Sequence, residues 1–184
     1  MNLLIDLDQS LFLAINHLPH SVPTNSIALF LSGIGAWGLI WFVIAIFLFI
    51  REEEHDHWFF LPFITAGLLG MYFSEFFLKF IIARPRPSEA VGGIILTTPG
   101  NYSFPSTHAT LAFAFAYLLS REEPRLKFWF YLLAVLICLS RIYLGAHYPS
   151  DVVAGSLLGF AVGMFAVHLD KHLTSSRKRR LIND

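Results

Sequence analysis

A run of 25 residues without a charged side chain, at positions 26–50, limits what this chain can fold into more than any other feature. A helix crosses the ~30 Å hydrocarbon core of a bilayer with about 20 apolar residues. A helix apolar on every side needs lipid or a large protein interior around it. Composition agrees with the first choice. Charged residues make up 14% of the 184 residues and hydrophobic residues 55%, where an ordinary soluble domain is roughly a quarter charged. The mean hydropathy of +0.60 points the same way. A soluble globular domain is excluded, and the length suits a single domain.

Four more apolar runs follow, at about 58–82, 105–120, 128–144 and 152–169. Between them lie a polar connector at 51–57, a loop at 84–104 marked by Pro and Gly, and a short charged connector at 121–127. Residues 3–18 are helical in pattern but too polar to span convincingly: Leu4, Leu7, Leu11, Ile15 and Leu18 form one stripe, and Asn2, Asp6, Gln9 and Asn16 fall elsewhere. Such a helix lies in the interface or along a bundle, and Pro19 and Pro23 end it. The expected fold is all-α, a polytopic membrane helical bundle of five transmembrane spans plus an N-terminal amphipathic or partly inserted helix. It forms one domain: residues 1–25 interfacial, 26–170 the bundle, and 171–184 a basic tail.

Cations set the orientation. Five crossings put Arg51, Arg121, Arg125, Lys127, Lys171 and the tail residues Arg177, Lys178, Arg179 and Arg180 on one side. That side is expected to be cytoplasmic, in a cytoplasmic membrane. No cleaved signal peptide is expected, because no basic region followed by a short apolar core opens the chain. Cys138, the only cysteine, sits inside an apolar run and is expected to be a small core residue. Gly155, Gly159 and Gly163 recur every four positions, a stripe suited to close helix packing.

The chemistry gathers at the ends of the apolar runs, all on the outward side. Ser140–Asp151 reads SRIYLGAHYPSD. Arginine, histidine and aspartate are costly beside lipid unless they pair or meet a ligand. Lys79 and Arg86 end one earlier run, and Ser106 and His108 open another. Lys79, Arg86 and Arg141, from three helix ends, suit the oxygens of a phosphoester, and an arginine fork holds two oxygens at once. Pro105 and Ser106 precede a helical run whose free amides, with the Ser106 hydroxyl and Thr107, would complete an anion cradle. Asp151, four residues after His147, would accept a hydrogen bond from one ring nitrogen and sharpen the other as a nucleophile. His108 would protonate the leaving group.

Other histidines have plainer roles. His17, His20, His55, His57, His168 and His172 are read as core, interfacial or solvated residues. His55-Asp56-His57 has metal-ligand types but sits in a charged connector. A metal held by His108, His147 and Asp151 is set aside because three cations would crowd it. Glu75, four residues before Lys79, is read as that lysine's ion-pair partner.

The order Lys79, six residues, Arg86-Pro87, then Pro105-Ser106-Thr107-His108, then Ser140-Arg141, five residues, His147, three residues, Asp151 resembles the three-part signature of the phosphatidic acid phosphatase type 2 superfamily. That family includes bacterial undecaprenyl-pyrophosphate phosphatases and vanadium haloperoxidases. The resemblance implies a helical bundle and a metal-independent phosphatase passing through a phosphohistidine. His147 would be the nucleophile, Asp151 its orienting partner and His108 the general acid, with Lys79, Arg86, Ser106, Thr107 and Arg141 holding phosphate. One departure stands out: the family usually has glycine where this chain has Thr107, so the pocket is expected to differ there.

An outward-facing lipid phosphatase is therefore expected, with an undecaprenyl-pyrophosphate-type carrier as first substrate. Phosphatidylglycerophosphate, phosphatidate or a lipid A phosphate stands second. The expected partners are the bilayer and a lipid phosphate, with no cofactor, no metal and no nucleic acid. A non-catalytic transporter or binder using the same cradle is the rival class. Transporters place polar sites near the midplane on broken helices, whereas here they sit at segment ends. A haloperoxidase is disfavoured by the lipid-facing spans.

Overall fold

A computed structural model describes residues 3–51 and 59–183, with side chains to residue 173. The 52–58 connector, including His55, Asp56 and His57, lies outside the described residues, as do the tail side chains. Eight α-helices carry the described chain: α1 (Leu3–Asn16), α2 (Val22–Gly35), α3 (Leu39–Arg51), α4 (Leu61–Met71), α5 (Lys79–Ile82), α6 (Thr107–Glu122), α7 (Lys127–Tyr143) and α8 (Pro149–Asn183). The architecture is all-helical, as expected.

Local chemistry explains the breaks. Ser21 caps α2 in a reciprocal capping box with Thr24, and Pro23 sits in the first turn. α2 and α3 are joined by a tight turn at Ala36–Gly38, so Val22–Arg51 reads as one membrane-length segment. A π-helical stretch, Tyr72–Leu78, joins α4 to α5. α5 stops at Ala83, which takes a left-handed conformation. The prolines at 85 and 87 then keep the chain from turning helical again.

Among the described residues, four segments are long and apolar enough to cross a membrane: Val22–Arg51, Leu61–Ile82, Pro124–Tyr143 and Pro149–Leu173. Phe30, Phe47, Phe76, Phe80, Leu157 and Phe165 stay exposed on their outer faces, as lipid contact requires. This is a multi-pass membrane protein. α6 differs. Ten of its 16 residues are buried, many of them small, and it packs against α4, α7 and α8 at the centre of the bundle. A helix sheathed by protein needs no lipid-like surface, which is why α6 is not among the membrane-length segments.

The glycine stripe packs α8 onto α6. A Cβ at Gly155 would meet the Ser106 carbonyl oxygen at 2.5 Å; at Gly159 it would strike the Thr110 carbonyl, and at Gly163 it would reach the Ala114 carbonyl at 3.1 Å. Steps of four on α8 thus meet steps of four on α6, backbone against backbone. Phe63, Leu111, Phe115, Leu119 and Ile137 fill the adjoining core, and Cys138 is buried in a second cluster with Phe12 and Ile142.

α1 packs on the bundle through residues off its leucine stripe. Leu4, Leu7, Leu11 and Leu18 are exposed, whereas Phe12 and Asn16 are fully buried. Asn16 donates to the carbonyls of Ile94 and Tyr143, both at 2.9 Å, and accepts from the Ile94 amide at 2.7 Å. Burial of this polar residue is tolerated because both ends of its amide are satisfied. α8 continues unbroken from Pro149 to Asn183.

Candidate active site

The loop at 84–104 and the turn after α7 are built as one piece. Gly145, at φ 76°, makes the turn, where a side chain would sit 2.6 Å from the Ile94 carbonyl. The amides of Leu96 and Thr97 both donate to the Leu144 carbonyl, at 3.1 and 3.3 Å. The turn therefore holds His147 against the loop that carries Arg86.

Beside it opens a cavity of about 230 Å³ lined by Lys79, Arg86, Thr107, His108, Arg141 and His147, with Glu75, Asn101, Trp37 and apolar neighbours. Six of the eight sequence-predicted residues converge there. The other two, Ser106 and Asp151, stand behind its wall, each 0% exposed. The cations come from two helix ends and a loop, not three helix ends: Lys79 opens α5, Arg141 lies at the end of α7, and Arg86 follows in the loop.

Hydrogen-bond partners fix the histidine tautomers. Arg86 only donates, so His147 Nε2, 3.2 Å from Arg86 Nη1, is the accepting, unprotonated nitrogen. The proton then sits on Nδ1, facing Asp151 Oδ2 at 3.6 Å. That is longer than a hydrogen bond, which corrects the expected His147–Asp151 bond. Asp151 has closer partners: Oδ2 accepts from the Tyr148 amide at 2.8 Å and Oδ1 from Arg84 Nη1 at 2.7 Å. Burial, reinforced by Arg86 and Arg141 and opposed by Asp151, pushes the His147 pKa down to about 4. The imidazole is neutral at pH 7. His108 Nε2 donates to the Ser32 carbonyl at 3.2 Å, leaving its Nδ1 unprotonated.

Arg86 donates through Nε to the Asn101 carbonyl and through Nη1 to the Ala146 carbonyl, each at 2.7 Å, and through Nη2 to Asn101 Oδ1 at 2.5 Å. Burial lowers its pKa. Arg141 Nη1 donates to Ser32 Oγ, and its Nε is buried with no partner. A buried N–H without a partner is costly, and an oxygen-rich anion would relieve it. Ser106 caps α6, its hydroxyl accepting from the Ala109 amide at 3.4 Å. Its own amide donates to the Asp151 carbonyl at 3.0 Å, so the free amide expected there is already used. Among the described residues, no three His, Cys, Asp or Glu side chains are grouped to hold a metal ion.

Residues 58–174 match the model of the PAP2 superfamily. The chain belongs to that superfamily. This PAP2 protein is 31% identical over 154 residues to the undecaprenyl-diphosphatase of Sulfolobus acidocaldarius, covering 79% of this chain and 70% of that one. Its fold matches Aquifex aeolicus LpxE with a TM-score of 0.75 and 32% identity, over 88% of this chain and 95% of the other. It also matches the PAP2-type phosphatidylglycerolphosphate phosphatase of Bacillus subtilis at 0.72 and 25% identity, over 94% and 88%. The PAP2 protein is accordingly a membrane hydrolase of the lipid-phosphatase kind.

Two residues in this PAP2 site carried no distinct sequence signal. Arg84 precedes Arg86 in the repeated Arg-Pro pattern, and only the fold shows that Arg84 goes to Asp151 while Arg86 goes to the cavity. Asn101 lies in an aperiodic loop yet bridges Arg86 and Glu75. Glu75 does pair with Lys79, at 2.5 Å, and it also lines the cavity.

Proposed function

We propose that this PAP2 protein removes phosphate from a lipid pyrophosphate or phosphomonoester through a phosphohistidine on His147. The supporting observation is the unprotonated Nε2 of His147, accepting from Arg86, at a cavity walled by Lys79, Arg86 and Arg141. Nε2 attacks phosphorus and forms an N–P bond while the P–O bond to the leaving group breaks. His108 enters this step as the imidazolium, protonated on both ring nitrogens, and its Nδ1 proton passes to the leaving oxygen. Water, deprotonated by His108, then cleaves the N–P bond and frees phosphate and His147. Lys79, Arg86, Thr107 and Arg141 bind the phosphoryl oxygens, with Ser106 behind them at the helix cap. Asp151 carries the compensating charge for the His147 ring. No metal or cofactor enters these steps.

A polyprenyl pyrophosphate carrier of the undecaprenyl type is the proposed substrate, supported by the similarity to an undecaprenyl-diphosphatase. The single domain comprises the interfacial segment at 1–25, the bundle at 26–170 and the tail at 171–184. We place α6 as a fifth crossing: at 1.5 Å per residue it is about 24 Å long, short for a bilayer but flanked by longer helices. The site then faces outward and the C-terminus lies in the cytoplasm.

The deciding experiment is phosphate release by the purified protein in detergent, with EDTA, across polyprenyl pyrophosphate, phosphatidylglycerophosphate, phosphatidate and lipid A phosphates. Release should survive chelation and be fastest on the pyrophosphate. His147→Ala should lose roughly 10³-fold or more while still binding substrate. Unchanged turnover in His147→Ala would remove the phosphohistidine reading, and retained binding without turnover in the wild type would favour a binder or transporter.

A further inference from the structure

Glu75 is the only acid lining the cavity among the described residues. Its carboxylate occupies the donors that a phosphoryl group would use. Oε2 accepts from Lys79 Nζ at 2.5 Å and from Thr107 Oγ1 at 2.7 Å. Oε1 accepts from Asn101 Nδ2, and the same Asn101 receives Arg86 through its Oδ1 at 2.5 Å. Lys79 is 3% exposed, so its ammonium has little water to fall back on and needs an anion at all times. The Glu75 side chain retains 24% exposure and sits in the π-helical stretch Tyr72–Leu78. Such irregular helical turns recur at functional sites.

We propose that Glu75 is a resident counter-anion of the phosphate cradle. It neutralises Lys79 between turnovers, competes with phosphate for Lys79 and Thr107, and so speeds the departure of inorganic phosphate. The proposal rests on the reading of this cavity as a phosphate site. A carboxylate and a phosphate dianion cannot share the same donors without strong like-charge repulsion. An incoming phosphoryl group must displace Glu75 and takes over its hydrogen bonds. When phosphate leaves, the carboxylate returns and Lys79 is never left unpaired. Three cations alone would hold the product tightly, and the tethered anion weakens that hold. Glu75 thus tunes how tightly anions bind and takes no part in bond breaking.

The test compares wild type, Glu75→Gln and Glu75→Asp in detergent, using inorganic phosphate and orthovanadate as competing ligands. Glu75→Gln should lower the inhibition constants for both, and the lipid KM with them, by roughly tenfold. Glu75→Asp keeps the charge and should stay within about threefold of wild type. A purely structural Glu75 would give the opposite, with looser phosphate binding once Lys79 loses its partner, and that result would overturn the proposal. A wild-type structure with vanadate bound gives an answer even if Glu75→Gln does not fold. Glu75 lifted off Lys79 and Thr107 supports competition, and both contacts unchanged refute it. Tighter binding in Glu75→Gln without lipid hydrolysis by any form would uphold the counter-anion and remove the phosphatase reading. Hydrolysis by wild type with unchanged inhibition in Glu75→Gln would do the reverse.

Discussion

His147 is held neutral by its surroundings, and that has a measurable consequence for stability. Its pKa is pushed from an ordinary imidazole value of about 6.5 down to about 4, chiefly by burial. Between those values the unfolded chain binds more protons than the folded one. The stability contributed by a neutral His147 is therefore complete above about pH 6.5 and is lost progressively as pH falls towards about 4. The melting temperature in detergent should drop over that window, and His147→Gln should flatten part of the drop; equal slopes for the two proteins would contradict the burial argument. The sequence already set His147, Asp151 and the three cations at the ends of apolar runs, where a charge is costly unless it pairs or meets a ligand. It could not show which oxygen of Asp151 faces which partner. Asp151 Oδ1 is engaged by Arg84 from a loop 67 residues away, and no periodicity reports such a contact.

At the scale of elements, α1 is more than an interfacial appendage. Asp8 accepts from the Ser150 amide at 2.9 Å, the Ser150 hydroxyl at 2.6 Å and Arg84 Nη2 at 2.7 Å. Arg84 in turn reaches Asp151 and lies over the Tyr148 ring at 4.2 Å. Burial alone would raise the Asp8 pKa, but bonds from Ser150 and Arg84 outweigh it and hold the carboxyl below its usual range. The chain Asp8–Arg84–Asp151 ties the first helix to the start of α8. A double-mutant cycle of Asp8→Asn and Arg84→Gln should show a coupling of about 1 kcal/mol or more in unfolding stability; additive effects would mean that the two groups do not act together. The leucine stripe marks α1 as a helix but not which face meets the bundle, because in a membrane protein an apolar stripe can look outward to lipid. The buried Asn16 and Phe12 then carry the contact with the bundle.

For the whole molecule, the structure supplies the relative ends of the bundle and the charges supply its sense. Arg51, at the end of α3, pairs with Glu123, just beyond α6, at 2.6 Å. The end of α3 and the end of α6 therefore meet at one end of the bundle. Lys79, Arg86, Thr107 and His147 gather at the other. Alternating crossings by α2–α3, α4–α5, α6, α7 and α8 satisfy both observations. The apolar runs at 26–50, 58–82, 128–144 and 152–169 fall in the four membrane-length segments among the described residues, and the shorter run at 105–120 falls in α6, which its neighbours enclose. The proposed orientation puts the cavity end outside, by the excess of Lys and Arg at the opposite end. Cys138 is the chain's only cysteine and is buried, which makes labelling a clean test. In a Cys138→Ala background, Gly100→Cys lies on the cavity-side loop in open space. Lys171→Cys lies towards the far end of α8. A membrane-impermeant maleimide added to intact cells should modify the first and reach the second only after permeabilisation. The reverse pattern would invert the protein, place the phosphate site against the cytoplasm, and replace an outward-exposed carrier lipid with substrates of the inner leaflet.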